Sequence, residues 1–162
     1  MWGRGVRNVH RRELSAPVEA IWALVETLSS RDDHLWPNRR WPAMRLDRRL
    51  EIGSHGGHGP VRYRVRRHEP GREVAFEFTP AFPLVGEHRC EVLDGGVLVH
   101  TLEGRPTSWL HLGWPLYFRW LHDALIEDAF DRAEAELAGT EWHPRRLPIH
   151  VRVLRSLAKR FS

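Results

Sequence analysis

The order of segments constrains this chain more than any single motif. A short strand-like stretch ends in Leu14-Ser15-Ala16-Pro17 and runs into an amphipathic helix. A set of alternating strands follows, and one long helix from about Pro115 to Leu137 closes the series. A curved sheet closed by a single long helix leaves space between the two, so the expected product is a container.

The individual segments support that order. Ser15 is placed to cap the first helix, with Pro17 just inside its start and Glu19 in its first turn, where a carboxylate favours the positive helix end. Val18, Ile21, Trp22, Val25 and Leu28 recur at helical spacing and give one buried stripe. Residues 29–40 read as a short helix or loop carrying Trp36, and a brief strand is expected near residues 45–50. Gly53-Ser54-His55-Gly56-Gly57-His58-Gly59-Pro60 reads as a loop by composition. Val61, Tyr63 and Val65 then alternate with Arg62, Arg64 and Arg66, the clearest strand of the chain. After the Pro70-Gly71 turn, Val74, Phe76 and Phe78 alternate with Glu73, Ala75 and Glu77. Antiparallel pairing sets arginine against glutamate on the solvent face and Tyr63, Val65, Phe76 and Phe78 on the inner one.

Glu87 to Leu93 keeps the rule, with His88, Cys90 and Val92 inward. Asp94-Gly95-Gly96 signals a hairpin because it tolerates positive φ. A two-residue loop turns Val97, Val99 and Thr101 inward; a three-residue loop turns Leu98, His100 and Leu102 inward and leaves Glu103 in water. The second buries larger apolar side chains and no acid, and is preferred. Residues 107–113 read as a connector. In the long helix Trp114, Phe118, Leu121, Leu125, Ala129, Ala133 and Leu137 form the apolar face, while Asp123, Glu127, Asp131 and Glu134 occupy much of the remaining surface. About 23 residues at ~1.5 Å rise span ~35 Å, enough to cross a small sheet.

This pattern resembles the START-like or SRPBCC superfamily, which includes polyketide cyclases, aromatic-ring hydroxylase domains, Bet v 1-like proteins and lipid-transfer domains. The matching features are "VHRRELSAPVEAIWALV", "GPVRYRVRRHEPGREVAFEFTP", "EHRCEVLDGGVLVHTLEG" and "WPLYFRWLHDALIEDAFDRAEAEL", which together cover residues 9–137. The resemblance implies an α+β helix-grip fold: a curved seven-stranded antiparallel sheet wrapped around the long C-terminal helix, two short helices near the N-terminus and an internal apolar pocket. It implies no single function, since the superfamily shares no catalytic motif.

The chemistry expected of such a pocket falls on few residues. The ligand-binding candidates are Tyr63, Val65, Phe76, Phe78, His88 and His100 on the sheet and Trp114, Phe118, Leu121, His122 and Leu125 on the helix. His88 and His100 are also the catalytic candidates, because a desolvated imidazole can orient a carbonyl or move a proton. His55 and His58 supply only two metal ligands on glycine-rich backbone, so no metal is expected. Cys90 reads as a small buried group, and no cofactor motif occurs.

Length, charge and composition bound the rest. The chain's 162 residues fit one domain, at 1–138, and a single cysteine excludes an internal disulfide. Residues 139–162 form a basic extension in which Ile149 to Phe161 read as a short basic amphipathic helix; six basic residues stand against Glu141 in a chain of net charge +4, so the body is near neutral and a nucleic-acid partner is not expected. Neither a signal peptide nor an apolar run of membrane-spanning length is read, which places the protein in the cytoplasm. Three functions remain: binding of a hydrophobic small molecule such as a lipid or polyketide-like compound; a cyclase, aromatase or dehydratase using a pocket histidine; and docking to an anionic membrane or a partner through the basic tail. The oligomeric state is left open, a homodimer included.

Overall fold

A computed structural model describes residues 5–160, the side chains of residues 159 and 160 excepted. Seven strands form one antiparallel sheet in the order β1-β7-β6-β5-β4-β3-β2. They are β1 (Val6–Glu13), β2 (Arg45–Leu46), β3 (His55–His58), β4 (Val61–Glu69), β5 (Glu73–Phe78), β6 (Leu84–Leu93) and β7 (Val97–Pro106). Helix α1 (Val18–Val25) follows β1, and a continuous helical run over 110–137 crosses the concave side. That run comprises α2 (Leu110–Gly113), a π-helical turn (Trp114–Phe118) and α3 (Arg119–Leu137). Helix α4 (Ile149–Arg160) ends the described chain, and Phe161, expected as its last residue, lies outside the described residues.

The central strands pair as their alternation demands. Tyr63 faces Phe78 and Val65 faces Phe76, while Arg64 faces Glu77 on the other side. A bulge between Val65 and Arg67 shifts the register, so His68 rather than Arg67 joins the inner face, where it stacks on Trp22. The β6–β7 hairpin pairs Leu93 with Val97 across the three residues Asp94-Gly95-Gly96, and Leu98, His100 and Leu102 are buried.

Four expectations are corrected. Among the described residues only one helix forms near the N-terminus, and residues 26–41 are turns and bends. The Asp33 carboxylate explains it, accepting the backbone N–H groups of Ser29, Leu35 and Trp36 in place of helical carbonyls. His55–His58 is a strand, not a loop. Its glycines permit close backbone approach, since a Cβ on Gly56 would lie 1.8 Å from the Arg45 carbonyl oxygen. The long helix begins at Leu110 rather than near Pro115, and the π turn takes in a proline that cannot donate to an ordinary helical bond. Finally, the acidic row of α3 is not solvent surface alone: it engages β1, although Glu127 and Glu134 stay exposed. Asn8 donates to Asp123 (2.8 Å), His10 meets Asp123 and Glu127 (3.1 and 2.7 Å), and Arg12 reaches Glu127, Asp131 and Glu134 (2.7–3.0 Å).

The irregular segment after α1 is pinned to the same helix. Arg132 donates to the carbonyls of Asp33 and Trp36, and the buried Asp128 carboxylate holds Arg40 and the Trp41 indole N–H, the latter at 2.7 Å. Helix α4 folds back onto this region: Val151 is buried in the main core, and Arg155 lies over the Trp41 ring and donates to the Arg40 carbonyl.

Candidate functional site

The inner face of β5, β6 and β7 presents Phe76, His88, Cys90 and His100 to Ile126, Ala129 and Phe130 of α3. Leu28, Leu35, Trp36 and Met44 close the side. These walls enclose an apolar void of about 20 Å³, room for roughly one water molecule. The container is therefore almost filled by its own side chains. A larger groove of about 470 Å³ lies outside, beside Glu26, Arg48, Arg49 and His68. It is open to solvent, and its charges are partly spent on one another, as in the 2.8 Å His68–Glu26 contact.

Of the expected binding residues, Phe76, His88 and His100 line the void. Tyr63 and Val65 are fully buried beside it, with Tyr63 edge-on to Phe76 and His88. Phe78 packs between His88 and Phe82, and Phe82 meets Phe118. The Trp114 and His122 rings lie 5.9 Å apart at a 48° tilt, Leu125 is buried, and Leu121 and Phe118 are half-buried against the core. This second group sits in the core toward the N-terminal end of the helix, not around the void.

The polar groups inside form a file that the sequence did not reveal. His58 Nδ1 lies 3.0 Å from the Tyr63 hydroxyl, and the Tyr63 ring is 4.7 Å from His88. His88 Nδ1 and His100 Nε2 are 3.4 Å apart, at the long limit of a hydrogen bond. His100 then meets His122 at 5.1 Å, and His122 meets His10 at 6.0 Å between ring centres. Burial dominates their acidity. It pushes His58 down to about 3 and holds His88 and His100 well below the ordinary 6.5, and it lowers His122 despite the neighbouring Asp123. His10 is also partly desolvated, yet its bonds to Asp123 and Glu127 prevail and raise it. Burial takes the Cys90 thiol up to about 12, which makes it inert as a nucleophile.

Two nitrogens of this file have no partner: His88 Nε2 and His100 Nδ1 are buried and make no hydrogen bond. In the sequence His58 stood out only as a metal-ligand candidate in a loop and His10 was passed over, for opposite reasons. His58 is hidden in a glycine-rich run that carries no alternation, whereas β1 has its polar residues facing inward and its apolar Val9 outward.

No family model matches this chain, and no curated protein does. Solved structures do share its architecture. Truncated norcoclaurine synthase from Thalictrum flavum superposes with a TM-score of 0.61 at 13% identity, covering 85% of this chain and 96% of that one. The di-domain ARO/CYC StfQ of the steffimycin biosynthetic pathway gives 0.60 at 11%, covering 83% of this chain and 51% of that one. CalU16 from Micromonospora echinospora gives 0.52 at 17%, covering 96% and 84%. Identities this low speak to architecture alone. Sheet order, the long crossing helix and these superpositions together give the chain the helix-grip fold of the START-like, Bet v 1-like proteins.

Proposed function

We propose that the protein binds a hydrophobic small molecule, lipid or polyketide-like, between the sheet and α3, with His88 and His100 orienting its polar end. The observation that carries this reading is the pair of buried imidazoles, each with one nitrogen unmet in an apolar chamber. Leaving such a group unsatisfied costs about 1–3 kcal/mol, a cost that a ligand hydroxyl or carbonyl offsets. A void near 20 Å³ admits no lipid as it stands, so the guest enters by displacing side chains. Met44, unbranched and set in the irregular segment, is the wall residue best suited to give way.

The low basicity of His88 and His100 favours orientation over proton abstraction, because a general base works best with a pKa near the ambient pH. The cyclase or aromatase reading, prompted by likeness to the ARO/CYC protein, therefore ranks second. Thermal-shift and native mass spectrometry screens with fatty acids and aromatic polyketides test the proposal. A stoichiometric complex lost in the His88→Leu, His100→Leu double variant supports it; no shift with any apolar ligand overturns it.

A third reading rests on separate residues. Ile149, Val153 and Leu157 form an exposed stripe along α4, and Leu112, Leu116 and Trp120 are exposed on the preceding helical run. The two surfaces meet where Trp120 packs edge-on against His150. Apolar side chains beside exposed Arg152 and Arg146 suit an anionic bilayer surface. Sedimentation with phosphatidylserine vesicles tests it, and indifference to a Leu116→Glu, Val153→Glu change would remove it.

A further inference from the structure

We propose that His10 of β1 with His122 and Asp123 of α3 forms a site for one divalent cation of the zinc class. One nitrogen of each histidine and one Asp123 carboxylate oxygen lie within 4.8 Å of one another. His10 Nε2 is 3.1 Å from Asp123 Oδ1, close to the spacing of two ligands on one zinc ion; His122 Nδ1 is 4.0 Å from the same oxygen and needs a contraction below an ångström.

One further observation points to a missing partner: His122 Nδ1 is buried and makes no hydrogen bond. Asn8 Nδ2 sits 2.8 Å from Asp123 Oδ1. Exchanging the amide's two ends, a choice that the hydrogen-bond network alone decides, puts an oxygen at that position as a fourth donor. The surroundings are also those of a metal ligand. Glu127 Oε1, 2.7 Å from His10 Nδ1, takes the proton of that nitrogen and turns the Nε2 lone pair toward Asp123. Two acceptors then face each other at 3.1 Å, an arrangement that needs positive charge between them. A proton there serves only that pair. A four-coordinate cation serves His122 Nδ1 and the Asn8 amide as well.

The donor set, two imidazoles with one carboxylate and one amide oxygen, suits Zn²⁺, Co²⁺ or Ni²⁺; magnesium and calcium prefer all-oxygen shells. Arg119 Nε, 3.8 Å from Asp123 Oδ2, is the one competing cation at the carboxylate among the described side chains. Arg12 is engaged by Glu127, Asp131 and Glu134. The site is independent of the ligand chamber, although His122 touches His100, which lines it.

Cobalt(II) titration of the full chain, freed of metal by a chelator, tests the proposal directly. The expected result is a set of visible d–d bands that saturates at one equivalent, is displaced by Zn²⁺, and is accompanied by a zinc-dependent rise in Tm. His122→Ala and Asp123→Asn should abolish the bands, and Glu127→Gln should weaken binding about 10–100-fold as an outer-shell change. His55→Ala, on an exposed histidine of β3, should bind as the parent does. Absence of bands and of a Tm shift in the parent chain overturns the proposal. So do bands that survive both His122→Ala and Asp123→Asn, since they would come from other histidines.

Discussion

The two faces of the same strands follow opposite rules. On the outer face of β4, β5 and β6, charge meets charge: Arg64 and Arg66 hold Glu77 at 2.6 and 2.8 Å, Arg67 holds Glu73 and Glu87, and Arg89 contacts Glu87, Glu91 and Glu103. On the inner face the histidines stack on Tyr63, Phe76 and Phe78, and two ring nitrogens have no partner. The pairs that Arg64 and Arg66 make with Glu77 stand at the water-exposed edge of this lattice, where each pair contributes little. The inner face is dry, so each group there carries large consequences, favourable or not. Investment in polar contacts and dependence on them are thus separated by the thickness of one sheet.

Acid should separate the faces most sharply. Burial holds His58, His88, His100 and His122 below 6.5, so the unfolded chain takes up protons that the folded chain refuses. Their contribution is complete above pH 6.5 and is lost as pH falls toward about 3, where His58 titrates. Each fully differential proton costs about 1.4 kcal/mol per pH unit, so His58 alone costs about 2 kcal/mol by pH 5 and the other three add in the same direction. His10, shifted upward, runs the other way: its contribution is present below 6.5 and fades as pH rises through its folded value. The outer carboxylates Glu77 and Glu87 are held below 4.5 by bonds from Arg64 and Arg67, so their share is lost only at lower pH. Urea midpoints measured from pH 7 to 4 should fall once the pH drops below about 6.5. A flat profile down to pH 4.5 would mean that the inner histidines are not dry.

Truncation comes next in size. Phe76→Ala removes a fully buried ring from the chamber wall and should cost about 3–5 kcal/mol in chemical denaturation. A loss under 1 kcal/mol would show that the wall rearranges freely around the gap. The His88→Leu, His100→Leu double variant should act in the opposite direction, stabilising by about 1 kcal/mol because it removes both unmet nitrogens together with the long bond between the rings, while ligand binding is weakened. Destabilisation there would mean that the imidazoles already have partners in solution. The smallest effect belongs to Arg66→Ala on the outer face, below about 1 kcal/mol and further reduced by added salt.

The parts of this architecture that could be read from residues alone are those where a strand has one wet and one dry side. Val61–Val65, Val74–Phe78 and the Asp94-Gly95-Gly96 hairpin announced their pairing because polarity alternates with the pleat. Strand β3 was hidden because Gly56 and Gly57 have no side chain to alternate, yet backbone contact requires them. The inner side of β1 was hidden because its partners are the acids of α3, so Asn8, His10 and Arg12 look like surface residues. Of the candidate site, the alternation around Glu87–Val92 and Leu98–Leu102 placed His88 and His100 on the inner face. The size of the void was out of reach, because it depends on how Leu35, Trp36 and Met44 fill space from a segment with no periodicity.

The β1–α3 seam has a consequence for how the helix is seated. Two residues of strand advance about 6.6 Å and four residues of helix about 6 Å. Asn8, His10 and Arg12 can therefore engage Asp123, Glu127 and Asp131 tooth by tooth, both series ascending together. Sliding the helix by one turn would leave a tooth at one end without its mate and set Arg119 opposite Asn8 in place of a carboxylate. The seam thus acts as a vernier: it fixes where along the sheet the helix stops, and with it which of the helix's apolar residues overlie His88 and His100.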